Sequence, residues 1–353
     1  METTMYALLA TAKANNASDL HITVGVRPKC RISGTLYEMQ GFDVLTPGKT
    51  KELVESMFNA KQKATMEATG EVDFAYADPS IGRFRVNAFH QRGSYAAVLR
   101  IVGTNIPTPE SLGVPPAVIE LTKKRRGLVL VTGPTGSGKS TTLASLIDVI
   151  NKNRNEHVIT LEDPIEYLHK HNHAIINQRE IGIDTESYGN ALRAALREDP
   201  DIILVGEMRD FDTISTAITA AETGHLVFST LHTIGAAPTI ERIIDVFPAH
   251  QQNQIRSQLA SVLEAVISQQ LLPTVDGKSR VAAFEVMLGT PAIKNLIRED
   301  KAHQIPSIMQ TSKKLGMQTM DDSLFDLYLK HKIDGANAVE FAQDAATMQE
   351  KLF

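Results

Sequence analysis

One octapeptide limits this chain more than any other feature: Gly133-Pro134-Thr135-Gly136-Ser137-Gly138-Lys139-Ser140. It has the form G-x-x-x-x-G-K-[ST], a phosphate-binding loop that belongs between a strand and a helix. Both are written around it. Leu128 to Val131 is a short apolar run and reads as buried strand. After the loop, Leu143, Leu146, Ile147 and Ile150 fall at i, i+3, i+4 and i+7, one face of a helix. The glycines let backbone N–H groups curl around phosphate oxygens. The new helix points its positive end at the same place. Residues Gly133 to Thr141 are therefore the expected nucleotide contacts, with Lys139 on the β- and γ-phosphates and Ser140 on Mg2+.

Around this unit, strands expected at 128–132, 157–161, 202–206 and 226–230 alternate with helices, the pattern of a parallel α/β sheet covered on both faces. Ligands of such sheets sit off the carboxyl ends of the strands, and three of these ends are polar. The second strand runs into Glu162-Asp163-Pro164, either a turn or a pair of acids placed to activate water. The third, Asp201 to Glu207, has the Walker B pattern, with Gly206 at the usual aspartate position and Glu207 supplying the carboxylate. Arg209 and Asp210 follow as a possible local ion pair. The fourth ends at Leu231-His232-Thr233, where a polar side chain can contact a γ-phosphate. A helix is expected over 188–197, and another over 240–272 with Ile255, Leu259, Val262, Leu263 and Val266 as its stripe. His169, His171 and His173 have no cysteine beside them and read as a solvated loop rather than a metal site.

The first hundred residues read as an α+β domain: helix over 3–15, strands over 19–24 and 29–39, helix over 47–68, then strands over 72–77 and 83–102. Turns are expected at Ser33-Gly34 and Arg92-Gly93. Alternation puts Arg83 and Arg85 on one strand face, with Arg100 on the partner strand. Such a face is either simply wetted or a set of arginine fingers offered to a γ-phosphate held elsewhere. Asp19 and His21 share a strand face read as ordinary polar surface. Pro107, Pro109, Pro115 and Pro116 mark a stiff linker over 105–116. The expected domains are then 1–104 and 117–289, followed by a helical region at 290–353.

Composition removes several functions. Net charge is −5, tryptophan is absent and no basic stripe carries aromatic platforms, so nucleic acid is not an expected partner. A single cysteine, Cys30, excludes a disulfide framework and a four-cysteine zinc site. No run of about 18 apolar residues exists, so no transmembrane segment is expected. The first residues lack the basic start and cleavage site of a signal peptide. A cytoplasmic location is expected.

These stretches together resemble the secretion ATPase family over essentially the whole chain. Gly133 to Ser140 is similar to its Walker A, Ile159 to Glu166 to its Asp box and Asp199 to Asp210 to its atypical Walker B. Gly224-His225 through Thr233 resembles its His box, and Ala17 to Ile22 its N-terminal signature. The resemblance implies an N-terminal PAS-like α+β domain, a C-terminal RecA-like P-loop ATPase domain with a helical appendage, and a homohexamer using ATP and Mg2+. It implies Glu162 as catalytic base, Glu207 as the Mg2+-side carboxylate and His232 as a γ-phosphate contact. Arg83, Arg85 and Arg100 become arginine fingers offered across a domain or subunit boundary.

Within the family the chain is similar to the type IV pilus retraction branch. Extension and type II secretion ATPases usually carry a four-cysteine zinc site, which one cysteine cannot build, and an extra N-terminal domain not expected here. Ala292 to Glu299 is similar to a retraction-branch signature, with Lys294 in place of arginine. The implied function is an ATP-driven motor for pilus retraction and twitching motility. It would be peripheral at the inner face of the cytoplasmic membrane, acting on an inner-membrane pilus platform protein. The competing readings are a pilus extension or type II secretion assembly ATPase, a nucleic-acid-translocating RecA-like ATPase, and a nucleotide-gated scaffold. A GTPase would need an N-K-x-D base-reading motif, and Asn151-Lys152 is followed instead by Asn153-Arg154.

Overall fold

The computed structural model describes residues 3–32, 34–103 and 105–352. The chain forms two compact units, 1–104 and 105–353, each with its own core.

The first unit contains α1 (Met5–Ala14), β1 (Asp19–Ile22), β2 (Lys29–Ile32), β3 (Thr35–Glu38), α2 (Pro47–Glu55), α3 (Ala60–Thr69), β4 (Glu71–Asp78), β5 (Gly82–Gln91) and β6 (Ser94–Ile101). The sheet is antiparallel, in the order β3-β2-β1-β6-β5-β4. Leu8 and Leu9 of α1, Val54 of α2 and Met66 of α3 pack with Leu20, Phe84 and Leu99 of the sheet. The helix expected over 47–68 is two helices. Asn59 starts a second one: its side chain accepts the Gln62 N–H at 2.9 Å, and the Gln62 side chain accepts the Asn59 N–H at 2.8 Å. This reciprocal pair satisfies two N–H groups that a helix start otherwise leaves bare. The turn between β2 and β3 includes Ser33, which lies outside the described residues.

The second unit contains α4 (Pro116–Ile119), β7 (Gly127–Thr132), α5 (Lys139–Asn153), β8 (His157–Glu162), β9 (Ile175–Glu180), α6 (Tyr188–Ala195), β10 (Ile202–Val205) and α7 (Phe211–Glu222). Then follow β11 (Leu226–Leu231), α8 (Ala236–Asp245), α9 (Gln252–Val262), β12 (Leu263–Pro273), β13 (Arg280–Leu288) and helices from Pro291 to Leu352. The sheet order is β13-β12-β7-β11-β10-β8-β9, parallel except for β13. β7 is buried on both faces because its residues alternate between two cores. Leu128 and Leu130 join Ile214, Ile218, Ile240 and Ile243 of α7 and α8. Val129 and Val131 join Leu143, Leu146 and Ile147 of α5. Among the described residues no helix is long and apolar enough to cross a membrane.

The helix expected over 240–272 does not persist. α9 stops at Val262, and Leu263 and Val266 belong to β12, which pairs with β7. A run such as Leu263-Glu264-Ala265-Val266-Ile267 suits a strand as well as a helix stripe. The open edge of β7, with unpaired N–H and C=O groups, decides for the strand. β9 and β13 lie outside the expected strands, although Val281 to Leu288 is a largely apolar run that fits a strand.

Candidate active site

The parallel strands end together, and the phosphate loop leaves β7 at that rim. Gly133 and Gly138 take φ of 140° and 89°. A Cβ on Gly133 would lie 2.2 Å from the Gln269 carbonyl oxygen, and one on Gly138 would lie 2.9 Å from Gln269 Nε2. The backbone angle demands glycine at both positions, and at Gly133, where the neighbour is a main-chain carbonyl, space demands it too. Lys139 begins α5 and is buried, its Nζ donating to the carbonyls of Gly133 at 2.8 Å and Pro134 at 3.1 Å. Burial lowers its pKa, with Glu207 and Glu166 acting in the opposite sense. The Thr141 hydroxyl lies 3.1 Å from the Tyr167 hydroxyl.

A cleft of about 310 Å³ gathers Thr135, Gly136, Lys139 and Ser140 with Glu162, Glu207 and His232. Gly133, Pro134, Ser137, Gly138 and Thr141 form the rest of the loop, outside the cleft lining. Glu162 ends β8. Its Oε1 accepts the Thr160 hydroxyl at 2.6 Å and the Gln178 side-chain amide at 3.0 Å. Burial pushes its carboxyl above the usual carboxylate range, and these two bonds pull it back in part. Glu207 follows β10, bonded to Arg209 Nη2 at 2.7 Å and to His232 Nε2 at 3.0 Å. Burial opposes its charge, but Arg209, His232 and Lys139 outweigh that and hold its pKa low. His232 Nδ1 lies 3.4 Å from Thr135 Oγ1, so the imidazole spans from the acid to the phosphate loop. The two acids thus differ: one raised by burial, one kept ionised by cations, the pattern that divides a proton acceptor from a fixed charge.

Arg209 does not pair with Asp210 as expected. Asp210 instead caps α7, accepting the Thr213 N–H at 2.8 Å. Three site residues went unread. Gln178 comes from β9, whose only sequence signal is the pair Ile175-Ile176. Tyr188, at the start of α6, lines the cleft, and its hydroxyl stands where a Gly206 side chain would go. Burial, with Asp163, Glu207 and Glu162 nearby, pushes the Tyr188 pKa up. Gln269 comes from β12. Of the three histidines, His171 accepts the Ile176 N–H at 3.1 Å, while His169 lines the cleft with its pKa lowered by burial to about 4. Among the described residues no group of three metal-ligating side chains occurs.

The candidate arginine fingers all lie in the first unit. Arg85 stands opposite Arg100 across β5 and β6, and Arg100 opposite Asp19 across β6 and β1. Arg100 Nε donates to Asp19 Oδ1 at 2.9 Å, and both arginines of the row are exposed. Arg83 is two residues along the same strand and partly buried. Asp19, read as ordinary polar surface, is in fact buried and committed to Arg100.

A phosphate loop between a parallel strand and a helix, with acids at two neighbouring strand ends and a histidine at a third, defines a RecA-like P-loop ATPase domain. Residues 78–324 match the type II/IV secretion system protein family, and the chain belongs to it. It is 49% identical over 339 residues to the type IV pilus retraction ATPase PilT of Pseudomonas aeruginosa, covering 95% of this chain and 97% of that one. It is 46% identical over 342 residues to a twitching motility protein of Neisseria gonorrhoeae, covering 97% and 91%. A crystal structure of the pilus retraction motor PilT with bound ADP superposes with a TM-score of 0.92 at 48% identity, covering 99% of this chain and all of that one.

Proposed function

We propose that this chain is an ATP-hydrolysing motor that powers retraction of type IV pili for twitching motility. The observation that carries the reading is the convergence of Lys139, Glu162, Glu207 and His232 on one cleft, in a chain alike over its full length to retraction ATPases.

ATP enters with its β- and γ-phosphates on Lys139 and the loop N–H groups. Glu162, its carboxyl raised toward the working range of a base, accepts the proton of the attacking water. His232 contacts the γ-phosphate and is held for that by Glu207. The Ser140 hydroxyl and ionised Glu207 are oxygen donors in the same cleft and fit Mg2+, an ion usually held by few protein ligands with the phosphates. Mg2+ would neutralise charge developing on those phosphates. Arg83, Arg85 and Arg100 add positive charge from a neighbouring subunit of a homohexamer. Nucleotide-driven movement passes to an inner-membrane platform protein, with the ring peripheral to the cytoplasmic membrane; residues 105–116 belong to the second unit, where Val114 is buried in its core. Pilus extension or type II secretion assembly is the alternative within the family.

Phosphate release from MgATP by the purified chain tests the catalytic part. Lys139→Ala and Glu207→Ala should each abolish turnover. Normal hydrolysis by either variant would sink the assignment of the cleft.

A further inference from the structure

Adjacent residues of one strand hold the two loops that face the nucleotide. β12 runs beside β7 with Ser268 opposite Thr132, so Ser268 and Gln269 come level with the start of the phosphate loop. Successive side chains point to opposite faces of a sheet. On one face, Gln269 Oε1 accepts the Thr142 hydroxyl at 2.8 Å, from the start of α5. Its carbonyl oxygen and Nε2 fill the room that side chains on Gly133 and Gly138 would need. On the other face, the Ser268 hydroxyl accepts the Gly235 N–H at 2.9 Å, three residues after His232. Glu285, opposite Ser268 on β13, accepts the next N–H, of Ala236, at 2.7 Å. Ser268 and Gln269 are 0% and 3% exposed. Buried polar side chains cost free energy unless they are bonded, and bonded ones fix a single geometry.

We propose that Ser268 and Gln269 are positioning residues that set the phosphate loop and the His232 loop in register with each other. Gln269 shapes the loop that grips the phosphates. Ser268 fixes the turn behind His232, and so the reach of His232 toward Thr135 and Glu207. The division of labour follows from strand alternation and predicts a division of kinetic effects. The proposal rests on the nucleotide cleft assigned above.

The test uses the full chain, fluorescent ADP for affinity and phosphate release for turnover. Gln269→Met should weaken ADP binding about tenfold, the effect of one misplaced set of phosphate hydrogen bonds. Thr142→Val, which removes the donor and keeps the shape, should do the same, and Thr142→Ser should recover most of the loss. The Gln269→Met, Thr142→Val double variant should be no weaker than either single. Ser268→Ala should keep ADP affinity within about twofold and lower kcat about tenfold. Wild-type ADP affinity in Gln269→Met, additive losses in the double variant, or the same affinity loss in Ser268→Ala as in Gln269→Met would each overturn the proposal. Lys139→Ala run alongside separates the two levels. Unchanged ADP affinity there would reject the cleft itself. Affinity lost there but kept in Gln269→Met would reject only the positioning role.

Discussion

Gly206→Ala adds a single methyl group between β8 and β10, the strands that carry Glu162 and lead to Glu207. Its Cβ would lie 2.8 Å from the Tyr188 hydroxyl, 2.9 Å from the Leu161 carbonyl oxygen and 3.4 Å from Glu162 Cα. Ordinary contact begins at 3.4 Å, so about half an ångström must be found on two sides. The tyrosine ring can swing. The Leu161 carbonyl cannot, because it accepts the Gly206 N–H at 2.7 Å and belongs to β8, paired in register with β10. The strand ends must part, and the residues that ride on them are Glu162 and Glu207. Overpacking of this kind costs about 1–3 kcal/mol of stability. A misplacement of about 1 Å costs up to roughly 10²-fold in rate, so half of that predicts a loss of about tenfold in kcat. Phosphate release at saturating MgATP reads it, with ADP affinity as the control, since the phosphate loop stands two strands away beyond β11. Gly206→Asp would install the acid usual at this position of P-loop ATPases, yet it should be worse than alanine. Wild-type kcat in Gly206→Ala, or an active Gly206→Asp, would refute the packing argument.

Two further outcomes follow from the proposed roles. As a base, Glu162 works only when deprotonated, and burial raises its pKa. The acid limb of kcat should therefore lie above the ordinary glutamate value of about 4.3. Gln178→Leu removes a bond that favours the ionised form and should move that limb to higher pH; a limb that stays or moves down argues against Glu162 as the base. Mixed rings of Arg85→Ala and Glu162→Ala subunits should recover some turnover that neither variant has alone, because some interfaces would pair an intact arginine with an intact base. Absence of recovery in well-mixed rings would count against arginines acting between subunits.

How much of this was legible in the sequence differs by element. The phosphate loop was, because motif, strand and helix face agree over consecutive residues. β7, β8, β10 and β11 were, since strands buried on both faces are continuous apolar runs. β12 was not, because Leu263 to Ile267 satisfies either period and only pairing with β7 settles it. The split between α2 and α3 was hidden in Asn59-x-x-Gln62, a capping box with asparagine in place of the usual serine or threonine. Glu162, Glu207 and His232 could be picked out from their places at strand ends. Their supports could not: Gln178, Tyr188 and Gln269 sit in no motif, and only the tertiary fold sets Gln178 on Glu162, Tyr188 in the cleft lining and Gln269 on Thr142. The same holds for Asp19 and Arg100, which are 81 residues apart in the chain and adjacent in the sheet.

The central claim is the direction of the motor, and one allele exchange tests it. The chromosomal gene is replaced by Lys139→Ala, and surface pili are counted by microscopy beside a twitching assay. The account predicts abundant pili on cells that do not twitch. A bald surface would mean that this chain drives extension and would contradict it, as would normal pili on cells that still twitch.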